Sequence, residues 1–232
     1  MGSVEAAPAV SKPPLFGSIS KGADIVIDYS EYLLDVVSSA EFNVTTIVIN
    51  PGNPDLMPWG SQIASLYEEY ELMGMVFEYR SMSASAVGST TSGMGIVIMA
   101  TEYDPYDAGF ANKRSMEAAE YSSSGVPYST FIHPIECDPK RNAMRQLFVV
   151  PGLRNPTEAS GDERFSIHGM FSIATQGQQT TGDKIGELHV SYRLRLTRPV
   201  LEPHSAPGPV TNLTWAHMSG TATVGFAPVI SN

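Results

Sequence analysis

Cysteine is almost missing: among 232 residues Cys137 stands alone, which excludes an intramolecular disulfide framework and a multi-cysteine zinc site. Basic charge is scarce as well, with 14 Lys and Arg against 24 Asp and Glu and a formal net charge of −10. Such a balance repels a phosphate backbone instead of attracting it. No apolar run reaches the roughly 18 residues that a membrane-spanning helix needs, so no membrane partner is expected. Charged residues amount to only 16%, and 42% of the chain is hydrophobic. With no long polar tract, that is the composition of a folded domain with a core of its own.

Proline and glycine are plentiful, and they punctuate the chain. Residues 1–22, rich in Ala, Pro, Ser and Gly, offer little to bury and hold a Pro13-Pro14 step that resists helix; they read as a flexible N-terminal arm. Residues 50–60, NPGNPDLMPWG, contain three prolines and two glycines and must turn repeatedly on the surface. Residues 204–232 are apolar but weakly periodic, too few for a second core, and are expected to form a C-terminal tail. Between these ends, residues 23–203 are expected to form one domain.

Within that domain most segments alternate apolar and polar residues. The stretches DIVIDYSEYLLDVV from Asp24, FNVTTIVI over 42–49, MVFEYRSMSAS from Met75 and IVIMATEY from Ile96 read as strands. So do STFIHPIEC, RQLFVV, RFSIHGMFSIATQG and ELHVSYRLRLTRP further on. Period two puts Val76, Glu78 and Arg80 on one side of their strand and Phe77 and Tyr79 on the other. Two short helices are predicted. One covers SQIASLYEEYELMG, residues 61–74, with Ser61 as its cap and Ile63, Leu66, Tyr67 and Tyr70 at helical spacing. The other falls within NKRSMEAAEYSSS from Asn112. The small-residue stretch AVGSTTSGMG, residues 86–95, lacks a Gly-Lys-Ser/Thr step and reads as a hairpin turn, not a phosphate cradle. Roughly eight strands with no strand–helix–strand alternation predict an all-β fold, an eight-stranded antiparallel jelly-roll sandwich with one or two short helices.

Several segments, in order, resemble the shell domain of tombusvirus-like capsid proteins of small icosahedral viruses. They are EYLLDV in the first strand, INPGNPDLMPWGSQIASLYEEYELMGMVFEYRS, GIVIMATEYDPYDAG, and GELHVSYRLRLTRP in the last, and together they run from about Ala23 to Pro203. The resemblance implies a non-enzymatic structural subunit that associates with many copies of itself into an icosahedral shell, assembled in the host cell and resident in the virion. It also implies an enclosed genome, of RNA or, as in circular viruses with similar capsids, of single-stranded DNA. The family's genome contact is a basic N-terminal arm; the arm here carries Lys12 and Lys21 and no basic run, so that contact is expected from a segment absent from this chain. The projecting domain into which the tombusvirus capsid proper continues is not expected within this chain.

The resemblance gives one stretch a specific role. In similar capsids the strand matching GIVIMA ends in D-x-D-x-x-D, which helps to bind calcium between subunits. Here the pattern is E-Y-D-P-Y-D, so Glu102, Asp104 and Asp107 take those positions, with Glu in place of the first Asp. Calcium takes six to eight oxygens in flexible geometry, so three carboxylates leave ligands to be supplied by backbone, water or a second chain. Asp138, in ECDPKR, is the candidate for a carboxylate donated by the neighbouring subunit. A solvated acidic turn is the plain alternative, and a catalytic carboxylate pair lacks any accompanying nucleophile or base.

Other residues read less sharply. His133 and Cys137 lie four apart across a proline in no nucleophile motif, which favours a structural role. Arg193, Arg195 and Arg198, and the group Lys140, Arg141 and Arg145, could face a genome or form salt bridges; the net charge favours salt bridges. Trp59, with Leu56 and Met57, is either a contact hot spot or core. A non-viral alternative, a calcium-dependent lectin-type jelly roll, would use the same acidic turn.

Overall fold

The computed structural model describes residues 24–85, 93–159 and 161–200. The expected arm, the expected tail and most of the turn at 86–95 lie outside the described residues. Nine strands form two antiparallel sheets: β1 (Ile25–Val37), β2 (Asn43–Ile49), β3 (Tyr67–Ser81), β4 (Ile96–Glu102), β5 (Ser123–Gly125), β6 (Phe131–Pro134), β7 (Leu147–Phe148), β8 (Gly169–Gln176) and β9 (Lys184–Pro199). One sheet runs β1-β9-β3-β6, with β7 also paired to β3, and the other runs β2-β8-β4-β5. The first four strands alternate between the sheets, and the last strand lies between the first and third. This is jelly-roll connectivity, which wraps the chain around one core.

The longest strands show why the sequence adopts it. In β9, Leu188, Val190, Tyr192, Leu194 and Leu196 are buried at every second position, while Arg193 and Arg195 point outward to Asp28 on β1 at 3.5 Å and to Asp24, just before it, at 2.8 Å. β8 is buried on both faces. Phe171 and Ile173 join the main core, and Ala174 packs with Ile98, Ala100 and Met116 on the outer side. Met116 comes from α2 (Lys113–Glu117), whose first turn Asn112 caps by accepting the Ser115 N–H at 2.9 Å. A strand covered on both faces reads as an unbroken apolar run, as MFSIA does. Across the sandwich, the rings of Phe77 on β3 and Phe171 on β8 stack at 3.6 Å with an interplanar angle of 8°.

The helix expected over residues 61–74 is corrected. Helix α1 covers only Gly60–Ala64, and β3 begins at Tyr67. Ile63, Leu66, Tyr67 and Tyr70 fit helical spacing, but Tyr70 and Leu72 also alternate and pair with Leu196 and Leu194 of β9. An extra residue, Met73, bulges out between Leu72 and Gly74. The bulge resets the phase, so that Met75, Phe77 and Tyr79 continue the buried row. Pairing along β9 and burial of two tyrosines override the local helical pattern. Ser61 is not the cap. Its role falls to Glu31 on β1, whose two carboxylate oxygens accept the N–H groups of Trp59 at 2.6 Å and Gly60 at 3.1 Å.

Candidate functional site: the acidic turn after β4

Strand β4 carries Val97, Ile98, Met99 and Ala100 fully buried and ends at half-buried Glu102, opposite Met170 of β8. Beyond it the chain closes on itself through its own carboxylates. Glu102 Oε1 accepts the Asp104 N–H at 3.2 Å, and Asp104 Oδ1 accepts the Tyr106 N–H at 3.0 Å. The Asp107 N–H returns to the Asp104 carbonyl at 3.1 Å. Pro105, buried beneath, presets the bend. Asp104 and Asp107 remain exposed while Glu102 is half-buried, so the turn keeps the three positions close in the chain with two of the three residues open to solvent.

Hard carboxylate oxygens suit a cation such as calcium, and Glu102 and Asp104 keep lone pairs beyond the single backbone N–H that each accepts. Among the described residues, however, no group of three or more His, Cys, Asp or Glu side chains is arranged within the chain to hold a metal ion. One copy therefore supplies part of a coordination shell at most. Asp138 sits on a different element, where its carboxylate accepts the Lys140 N–H at 3.0 Å and caps the tight turn Pro139–Arg141.

The turn has two neighbours that the sequence reading missed. The hydroxyl of Tyr106 donates to Asp162 Oδ1 at 3.2 Å, and the Arg164 guanidinium lies 5.0 Å over the Tyr106 ring. Asp162 also accepts from the Arg164 backbone N–H at 3.0 Å and pairs with Arg164 Nε at 3.3 Å. The backbone N–H of Arg164 and its side chain hold the Asp162 carboxyl below the usual range. A pocket of about 300 Å³ separates the two elements, with Asp104, Pro105 and Tyr103 on one wall and Arg164, Ile167 and His168 on the other. An Asp-x-Arg step was visible in GDERF, but 56 residues separate Tyr106 from Asp162.

The remaining candidates are structural. His133 is buried between the hydroxyls of Thr101 at 2.9 Å and Ser123 at 3.3 Å, and burial pushes its pKa down to about 4. Burial pushes the Cys137 thiol up to about 11, where it donates to the Ile135 carbonyl at 3.3 Å. Neither state suits a thiolate–imidazolium pair. Arg193, Arg195 and Arg198 all form ion pairs within the chain, the last with Glu69 at 3.1 Å, and Arg145 reaches Glu71 at 3.3 Å. Leu56 and Met57 belong to the core. Trp59 stays 44% exposed, with its ring 4.5 Å from that of Tyr29.

The acidic turn thus sits on a two-sheet jelly roll in which Arg193, Arg195 and Arg198 are paired with carboxylates of the same chain. Residues 3–201 match the family described as viral coat protein (S domain), and the chain belongs to that family. It thus carries the S domain of a viral coat protein. A capsid protein of Tomato bushy stunt virus (strain BS-3) is 23% identical over 195 residues, covering 82% of this chain and 45% of that protein. The chain therefore spans less than half the length of this curated relative. Solved structures agree in fold. Tobacco necrosis virus superposes with a TM-score of 0.66 at 14% identity, covering 78% of this chain and 98% of that one. Cucumber necrosis virus gives 0.64 at 22%, covering 76% and 57%, and mud crab tombus-like virus gives 0.61 at 19%, covering 78% and 91%. The expected resemblance and the all-β jelly roll are borne out.

Proposed function

We propose that this chain is the repeating subunit of a closed icosahedral shell, that many copies associate through their sandwich surfaces around a viral genome, and that it performs no catalysis. The observation that carries this reading is the strand order β1-β9-β3-β6 over β2-β8-β4-β5 in a chain matched by the coat-protein family over residues 3–201. Closed point-group assembly needs only repeated, complementary patches on one kind of subunit.

Genome contact, with RNA or single-stranded DNA, falls to a basic arm that this sequence does not include. Arg193, Arg195 and Arg198 already face carboxylates of their own chain, so the shell domain has little charge to spare for phosphates. At the acidic turn, Glu102, Asp104 and Asp107 hold a divalent cation, calcium by donor chemistry, in company with oxygens from a neighbouring copy, Asp138 among them. Such an ion would neutralise carboxylates that otherwise repel across the interface.

Electron microscopy of the purified chain tests the shell: closed particles of uniform diameter support it, and a field of single domains refutes it. Chelation tests the cation separately. Particles whose thermal stability and diameter are the same in calcium and in chelator would remove the ion while leaving the shell intact.

A further inference from the structure

Beside β1 the domain leaves a row of large apolar side chains open to solvent. Trp59, Ile63 and Leu66 follow one another at i, i+4 and i+7 through α1 and the turn that closes it, where the Ser65 N–H returns to the Ser61 carbonyl and the Leu66 N–H to the Ile63 carbonyl, both at 3.0 Å. That spacing puts all three on one face. Trp59 and Leu66 are 44% and 42% exposed, Ile63 is half-buried, and the ring of Tyr29, 49% exposed on β1, widens the row at its Trp59 end. A contiguous patch of this kind marks a docking surface. We propose that its occupant is this chain's own C-terminal segment, residues 201–232, laid back along the row from Leu66 to Trp59.

The described chain leaves the sandwich at one end of the row. Pro199 pairs with Tyr67, and the Val200 N–H donates to the Leu66 carbonyl at 2.8 Å. The next residues therefore start beside Leu66. Reach is no obstacle: Trp59 lies about 10 Å from Leu66 by helical rise, a gap that a few residues of extended chain span at about 3.3 Å each.

Composition points the same way. Asp, Glu, Lys and Arg make up 16% of the chain, yet beyond Glu202 none occurs up to Asn232, while Val210, Leu213, Trp215, Met218, Val224 and Phe226 all fall there. A stretch so poor in charge and so rich in large apolar side chains gains by burial. The row matches it, since the sequence from Leu56 to Tyr67 holds no charged residue either. Docking the two strands no charge in an apolar contact. The family match ends at residue 201, so this covering is an addition to the shared shell domain. Its consequence for assembly is that this side of the subunit meets a neighbour through the segment instead of through bare aromatic rings.

The chain has two tryptophans, Trp59 in the row and Trp215 in the segment, so either can be made the sole indole reporter of the full-length protein. In Trp215→Phe, docking predicts Trp59 emission that is blue-shifted and poorly quenched by acrylamide. Adding Leu213→Ser and Phe226→Ser should shift that emission to the red and raise the quenching constant severalfold. Equal quenching with and without the two serines overturns the inference, whether Trp59 is open in both proteins or shielded in both by a neighbouring copy. Should the serines prevent recovery of folded protein, Trp59→Phe carries the test with Trp215 as reporter. Trp215 shielded there, and released when Tyr29→Ser and Leu66→Ser are added, supports the docking; Trp215 as open as free tryptophan, or unmoved by the two added serines, overturns it.

Discussion

The Tyr192 hydroxyl donates to Glu31 Oε1 at 2.6 Å, joining residues 161 positions apart beneath the Trp59 loop. Glu31 is only 7% exposed, and its carboxylate also takes the N–H groups of Trp59 and Gly60. One buried acid thus ties β1, β9 and the start of α1 together. Removing it by Glu31→Ala leaves three donors without partners, the buried Gly60 N–H and Tyr192 hydroxyl and the part-buried Trp59 N–H, and a buried donor left unpaired costs about 1–3 kcal/mol. Chemical denaturation should show a loss of about 3 kcal/mol or more for Glu31→Ala and a smaller one for Tyr192→Phe, in which the two backbone donors remain satisfied. Equal stability of Glu31→Ala and wild type would show that the tie is not structural.

The stacked pair Phe77 and Phe171 bridges the two sheets directly, and both rings are fully buried. Phe171→Ala should lower the unfolding free energy by about 3–5 kcal/mol, read as a shift in urea midpoint at constant slope. Phe171→Leu should cost markedly less, because most of the volume is kept.

At Gly186 on β9, an added methyl would run into the ring of Tyr79 and lie 2.7 Å from the Arg80 carbonyl oxygen. Tyr79 cannot retreat, since its hydroxyl donates to the carbonyls of Pro127 at 2.7 Å and Ile185 at 3.0 Å. Gly186→Ala should therefore destabilise the domain by about 1–3 kcal/mol, and Gly186→Ala/Tyr79→Phe should show non-additive losses in a double-mutant cycle. Simple additivity would count against the clash.

Acid should weaken the subunit through its buried histidines. The folded pKa of His133, about 4, lies below the ordinary 6.5, and burial lowers that of His168 as well. Between those two values the unfolded chain binds protons that the folded one refuses, so stability is full above about pH 6.5 and falls as pH drops towards 4. The loss from His133 is on the order of 3 kcal/mol. Thermal midpoints recorded across this range should decline steeply in wild type and less steeply in His133→Gln. Parallel curves would falsify the assignment.

Much of this protein was legible in its sequence because strands buried on one or both faces leave plain patterns. Phe77 and Tyr79 facing Val76 and Glu78, the run MFSIA, and the alternation along β9 all read correctly. β3 shows where legibility ends: Tyr70 fits helical spacing with Tyr67 and strand alternation with Leu72, and only the partner strand, more than a hundred residues away, decides between them. β5, drawn from Ser123–Gly125, carries no apolar signal because it is held by its pairing with β4. The acidic turn was visible as a composition, and its bend at Pro105 followed from local chemistry. Asp162, Arg164 and Glu31 were not visible in their roles, because each acts on residues brought near only by the wrapping of the jelly roll.

The central claim, that this chain builds a shell from copies of itself, is tested most directly by sedimentation velocity of the purified protein over a range of pH and salt. The account predicts a discrete boundary of megadalton mass under at least the assembly-favouring conditions. A single species near 25.0 kDa, or a small oligomer, at every condition would contradict it.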